Sequence, residues 1–291
     1  MRLLPVSDAL TAFVGWNLET KRWLDAHGST TLVQHFVLLA LRHRGTLGPC
    51  ELAGLFGLKY NTVDQAIVRL EALGFVTKDV DEADRRKSVV AIADAGRRCL
   101  SAQERLLADF VVRVWEPLGK DEVRAVSDAF YAALREVGKM RPYGGVVRAD
   151  SSFVVLCAEM GIRIGAVADA CGLGLPEFRL LVLLGEAGEL AQGEVGRRLV
   201  ARPPAVSKAA AALVGAGFVE RRGGGSRRGV VLALTDAGRV RAVDAIGMVE
   251  RSLETPFGVS EAPARELVAS AISKLVDRLR TWRAMGVGVL S

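Results

Sequence analysis

Glu194–Val219 reads EVGRRLVARPPAVSKAAAALVGAGFV and Glu51–Val76 reads ELAGLFGLKYNTVDQAIVRLEALGFV. A shift of 143 positions superposes Glu51, Leu52, Val63, Leu70, Gly74, Phe75 and Val76 on Glu194, Val195, Val206, Leu213, Gly217, Phe218 and Val219. Each stretch opens with a short amphipathic segment, PCELAGLFGL or QGEVGRRLVA. A second segment follows, in which Val63, Ile67, Leu70 and Leu73 recur every three or four positions, the spacing of one helical face. Glycine stops it in both places.

Downstream of GFV the apolar period changes from 3.6 to 2. Asp81–Gly96, DEADRRKSVVAIADAG, and Gly223–Gly238, GGGSRRGVVLALTDAG, each place a charged or glycine-rich turn before a β-branched run, which predicts a hairpin. Here the shift is 142: Arg85, Arg86, Val89, Asp94, Ala95 and Gly96 fall on Arg227, Arg228, Val231, Asp236, Ala237 and Gly238. The one-residue slip lies between Val76 and Arg85, in a polar stretch that a turn absorbs. Upstream, QHFVLLAL and EFRLLVLL read as buried helices that end at Gly45 and Gly188. Helix, helix, hairpin is the order of a winged helix, written twice.

Long amphipathic helices flank each unit. Val123, Val126, Phe130, Leu134 and Val137 form one stripe, and Val268, Ile272, Leu275, Val276 and Leu279 its counterpart. EPLG (Glu116 to Gly119) and TPFG (Thr255 to Gly258) predict a break in each flanking pair. The stripes reach beyond a compact winged helix, so their apolar faces need a partner, and the other copy is the nearest one. The junction is expected at Lys139 to Gly145, where Pro142 and two glycines interrupt the helical pattern, giving domains 1–143 and 144–291. The expected class is mainly α with small β-wings: tandem winged helix-turn-helix domains on a shared helical dimerisation layer.

Composition bounds the function. The 291 residues are 50% hydrophobic, enough for a core in each half, and arginines interrupt every apolar run before a membrane span is reached. The start MRLLPVSDAL reaches Pro5 and Asp8 too soon for a signal core, so a cytoplasmic location and no membrane partner are expected. Cys50, Cys99, Cys157 and Cys171 form no CxxC pair, and His27, His35 and His43 stand eight apart; neither pattern holds a metal. No P-loop, nucleophile elbow or paired-carboxylate motif is present, so neither an enzyme nor a cofactor is expected. The formal net charge of +6 suits a polyanion.

These motifs, in this order and duplicated, resemble the MarR family of bacterial transcription regulators across nearly the whole chain. The resemblance implies a regulator of double-stranded DNA, with repression as the default sign, and a pseudo-dimer fused into one chain, further self-association being left open. The recognition helices would enter successive major grooves. It assigns the DNA-facing positions to Lys59, Asn61, Thr62 and Gln65 with Arg85, Arg86 and Lys87 of the first wing. In the second copy these are Arg202, Ala205, Ser207 and Lys208 with Arg227 and Arg228. The copies depart from each other: Asp84 precedes the first arginine pair where Ser226 precedes the second, and Asp64 and Gln65 stand where Ser207 and Lys208 do.

Charge follows the same division. Residues 194–228 carry eight bases and two acids, net +6, whereas residues 51–87 carry six bases and seven acids, net −1. An asymmetric grip on DNA is expected, led by the second copy. The resemblance further implies a small aromatic or anionic effector, for which Trp16, Trp23 and His27 are the candidate contacts, and directs attention to Cys157 and Cys171 as oxidant sensors. The acidic first copy supports a rival: a winged-helix pair that has lost DNA binding and serves protein interaction or ligand sequestration.

Overall fold

The computed structural model describes residues 4–80, 88–136, 149–223, 229–257 and 262–284. The first half runs α1 (Val6–His27), α2 (Leu32–Arg44), α3 (Pro49–Phe56), α4 (Tyr60–Ala72), β1 (Val76–Val80), β2 (Ser88–Ile92), α5 (Asp94–Trp115) and α6 (Lys120–Glu136). The second runs α7 (Ala149–Ala170), α8 (Leu175–Ala187), β3 (Leu190–Ala191), α9 (Gln192–Leu199), α10 (Pro203–Gly215), β4 (Val219–Gly223), β5 (Val230–Leu234), α11 (Asp236–Phe257) and α12 (Ala262–Ala284). Both bounds of α7, α8, α9, α10 and β4 lie 143 residues beyond those of α1, α2, α3, α4 and β1. From β5 to the start of α12 the offset is 142, and it changes across the hairpin turn.

Local chemistry accounts for the element ends. Thr31 and Gln34 close a capping box at the start of α2, the Thr31 amide donating to Gln34 Oε1 at 2.8 Å. Pro176 and Pro203 sit in the first turns of α8 and α10, where a missing N–H costs nothing. β1 and β2 pair antiparallel with Val76 opposite Ile92, and β4 and β5 with Val219 opposite Leu234. β3 joins the second hairpin as a third strand, Leu190 opposite Leu232, where the first half has a single bridge between Leu47 and Val90.

The repeated DAG has a steric cause. A Cβ on Gly96 would stand 2.1 Å from the Phe75 carbonyl oxygen, and one on Gly238 would stand 1.9 Å from that of Phe218. These same carbonyls accept from the amides of Ala93 (3.0 Å) and Thr235 (3.1 Å). α5 and α11 therefore start pressed against the turn that follows α4 and α10, and only glycine fits there.

The halves interleave. α1 packs on α7 and α12, α6 on α7, α11 and α12, and α5 on α7, so one core runs from Val6 to Leu279. Trp16 is its centre, meeting Phe110 of the first half edge-on at 6.3 Å and Phe153 and Trp282 of the second at 6.5 and 5.4 Å. At the layer's edge Glu122 accepts from Ser270 Oγ (2.8 Å), Lys274 Nζ (2.7 Å) and the Gly119 amide (2.9 Å). The Lys274 hydrogen bond, then that amide, hold its carboxyl below the usual range. The expected break at 116–119 is present, and α11 ends at Phe257, inside the break expected at 255–258, whose Gly258 lies outside the described residues. The junction at 139–145 lies outside the described residues, as do the wing tips with Asp84, Arg85, Arg86, Lys87, Ser226, Arg227 and Arg228.

Candidate nucleic-acid interface

Each half presents a helix–turn–helix. In the first, α3 ends on Gly57 at φ +62°, and the Leu58 amide returns to the Ala53 carbonyl at 3.1 Å. In the second, Val200 holds φ +53° and the Ala201 amide returns to Gly196 at 2.9 Å. A β-branched residue in the left-handed region carries a strain of roughly 1–2 kcal/mol, so the second turn keeps the bend at a cost the first avoids.

Four positions anchor the second helix of each pair: Val63, Ala66, Ile67 and Leu70 on α4, and Val206, Ala209, Ala210 and Leu213 on α10. They are the same four in register, so the two helices turn the same face outward. That face exposes Lys59, Asn61, Thr62 and Gln65 on the first and Arg202, Ala205 and Lys208 on the second. Ser207 is half-buried, and its hydroxyl accepts from Gln192 Nε2 at 2.8 Å.

Asp64 and Ser207 occupy equivalent places with different partners. Lys78 Nζ on β1 lies 3.7 Å from Asp64 Oδ1, so the aspartate answers to its own hairpin. Arg221, at the position of Lys78 in the second half, donates instead to the Ser207 carbonyl at 3.4 Å. Sequence reasoning overlooked Lys78, Arg221 and Gln192. The 143-residue offset could have paired the first two, since it sets Lys78 over Arg221 as it sets Asp64 over Ser207.

Ion pairs divide the second half's arginines. Glu194 takes Arg197 and Arg198, the latter at 2.9 Å, and the Arg198 hydrogen bond holds its carboxyl below the ordinary value. Arg222 is shared by Glu220 and Glu189, the latter at 2.9 Å. Arg202 and Lys208 make no ion pair among the described residues and stand exposed on the outward face. Among the described residues of this reading unit, the bases left without an ion pair are therefore Arg202 and Lys208 on the outward face and Arg221 on β4.

Two cavities border this region. A cleft of about 1050 Å³ lies between α1, α8, α9 and the end of α12, with Pro5, Val200, Arg198, Arg202 and Arg280 in its walls. A crevice of about 90 Å³ separates α2 and α3 from α7, lined by Phe36, Phe56, Val155 and Ile162. Trp16, Trp23 and His27 border neither. Trp16 and Trp23 are buried in the core, Trp23 donating to the Leu106 carbonyl at 3.0 Å, and His27 is exposed beside it. Cys157 and Cys171 are buried, and burial pushes both thiols up, away from the thiolate that an oxidant sensor uses.

Among the described residues no group of three His, Cys, Asp or Glu side chains converges on a metal-sized site, and no helix is long and apolar enough to cross a membrane. Residues 172–229 match the family model of the MarR family. No curated protein matches the chain. Among solved structures, a MarR-family transcriptional regulator from Silicibacter pomeroyi is similar at 23% identity and a TM-score of 0.39, over 43% of this chain and 87% of that one. The PcaV transcriptional regulator from Streptomyces coelicolor, in complex with its natural ligand, is similar at 25% identity and a TM-score of 0.35, over 42% and 84%. A MarR transcriptional regulator from Methanosarcina mazei is similar at 23% identity and a TM-score of 0.37, over 41% and 88%.

Proposed function

We propose that the chain is a sequence-specific regulator of transcription that binds double-stranded DNA and represses, built from two winged-helix units, residues 1–143 and 144–291, fused into a pseudo-dimer. The observation that carries this reading is the register of α4 and α10: the same four buried anchors leave two matched polar faces, held by one interleaved helical layer. The family match over residues 172–229, which spans α8 to the second wing, supports it independently. The second unit supplies most of the grip, through Arg202 and Lys208 and the wing pair Arg227 and Arg228. Lys59, Asn61, Thr62, Gln65 and the first wing's Arg85, Arg86 and Lys87 read the other half-site.

A small anionic or aromatic effector suits the cleft between α1, α8, α9 and α12 better than the surroundings of Trp16 and Trp23, because its wall runs from Arg202 at the reading face to Arg280 in the layer.

The test is a titration with random-sequence duplex over a salt series. Each phosphate contact contributes about 0.9 to the slope of log affinity against log salt, so Arg202→Ala with Lys208→Ala should lower it by nearly two and Lys59→Ala by about one. Arg228→Ala should weaken binding more than Arg86→Ala; equal losses refute the asymmetry. Absent or salt-insensitive binding overturns the DNA reading in favour of a protein-interaction or ligand-sequestering module.

A further inference from the structure

The two reading heads are not held alike. α1 begins at Val6 with no side-chain cap of its own, and its first two amides donate to Glu186 at the end of α8, at 2.7 and 2.9 Å. A carboxylate at a helix N-terminus satisfies orphan donors and the dipole together. Arg280 of α12 pairs with Asp8 of α1 at 2.6 Å and also donates to the Arg198 carbonyl in α9 at 3.3 Å. Arg179 of α8 donates to the Leu199 carbonyl, the last of α9, at 2.6 Å, and reaches Thr11 Oγ1 of α1 at 3.4 Å. Three side chains thus bind the second head to α1 of the opposite half.

The first half cannot make these ties across to the opposite half, and its α2 is tied instead to α5 of its own half, where Arg42 donates to Glu104 Oε2 at 2.8 Å. At the equivalent positions His43 replaces Glu186, Ser151 replaces Asp8, Gly138 replaces Arg280, Phe36 replaces Arg179 and Val154 replaces Thr11. No carboxylate–amide or carboxylate–guanidinium pair can be made from that set. Phe36 instead lines the crevice that separates α2 and α3 from α7.

We infer that Glu186, Arg280 and Arg179 are positioning residues that clamp the second reading head to the helical layer, leaving the first head as the one that swings. The second head then sets the register on DNA and the first adjusts the half-site spacing. This rests on the reading of α4 and α10 as DNA-reading helices.

The test measures head mobility without DNA. In a Cys50→Ser, Cys99→Ser background, spin labels at Glu71→Cys with Asp109→Cys report the first head against α5. Labels at Val214→Cys with Arg251→Cys report the second against α11, all four positions being exposed. The second pair should give the narrower distance distribution, and Glu186→Ala with Arg280→Ala should broaden it alone, to the width of the first. Should that variant fail to fold, Asp8→Asn removes one charge pair without changing shape and should broaden the second pair less, again alone. Equal widths in the parent, or equal broadening of both pairs, overturns the clamp. Titrating the parent with random-sequence duplex separates the two readings: unequal widths without DNA binding overturn the regulator reading and keep the clamp, whereas DNA binding with equal widths overturns the clamp only.

Discussion

At Gly238 the space for a side chain is already taken by the Phe218 carbonyl oxygen, 1.9 Å from where a Cβ would sit. Gly238→Ala must push α11 off the turn that ends α10, an overpacking of backbone against backbone that should cost at least 1–3 kcal/mol in urea unfolding. Gly54, inside α3 with nothing within 4 Å, is the contrast: Gly54→Ala should gain about 0.5–1 kcal/mol from helix propensity. A neutral Gly238→Ala would show that the contact yields freely. His35 gives a pH-dependent counterpart. Burial, only partly opposed by the Gln103 hydrogen bond and the Glu104 carboxylate, lowers its pKa to about 4. The unfolded chain takes up that proton near pH 6.5 and the folded chain only near 4, so the contribution is intact above pH 6.5 and lost as pH falls toward 4. His35→Gln should flatten the fall in urea midpoint between pH 7 and 5; an unchanged fall would assign it to other groups.

The helices were largely readable because their apolar period is strong. Of the stripe Val63, Ile67, Leu70 and Leu73 the first three are buried as the spacing predicts, whereas Leu73, at the C-cap just past α4, is 52% exposed; Gly45 and Gly188 do end α2 and α8. β3 was not readable, because two residues carry no period and Leu190–Ala191 becomes a strand only when Leu232 is opposite. Nor was the fate of Asp64, which as sequence is an acid on the DNA side and in the fold is drawn to Lys78 across the hairpin. The exchange Asp64→Ser, which gives α4 the residue of α10, frees Lys78 and removes a charge that repels phosphate. Affinity for random duplex should rise severalfold, with the salt slope steeper by up to about one contact. No change in either would mean that α4 does not meet the duplex.

At the scale of the molecule, sequence stripes announced that the flanking helices need a partner, with the other copy as the nearest one, but not which helices meet. Val126 and Phe130 of α6 are buried in a layer shared with α12, and Val268, Ile272 and Leu279 of α12 are buried in the same layer. Pairing of this kind is set by tertiary geometry, and so is the clamp at Glu186, whose partner amides lie 180 and 179 residues away in sequence. Because the core is continuous, neither half closes its own apolar surface, and unfolding should be a single event. Trp16 is the place to test this. Its ring touches Phe110 of one half and Phe153 and Trp282 of the other, and it is 1% exposed. Trp16→Ala should cost about 3–5 kcal/mol, the range for truncating a buried aromatic, and both halves should feel it together. Far-UV circular dichroism and the fluorescence of Trp23, Trp115 and Trp282 should shift to lower urea as one coincident transition. Two separated transitions, with only one moved by the substitution, would mean that the halves fold independently and that the shared layer is a contact rather than a core.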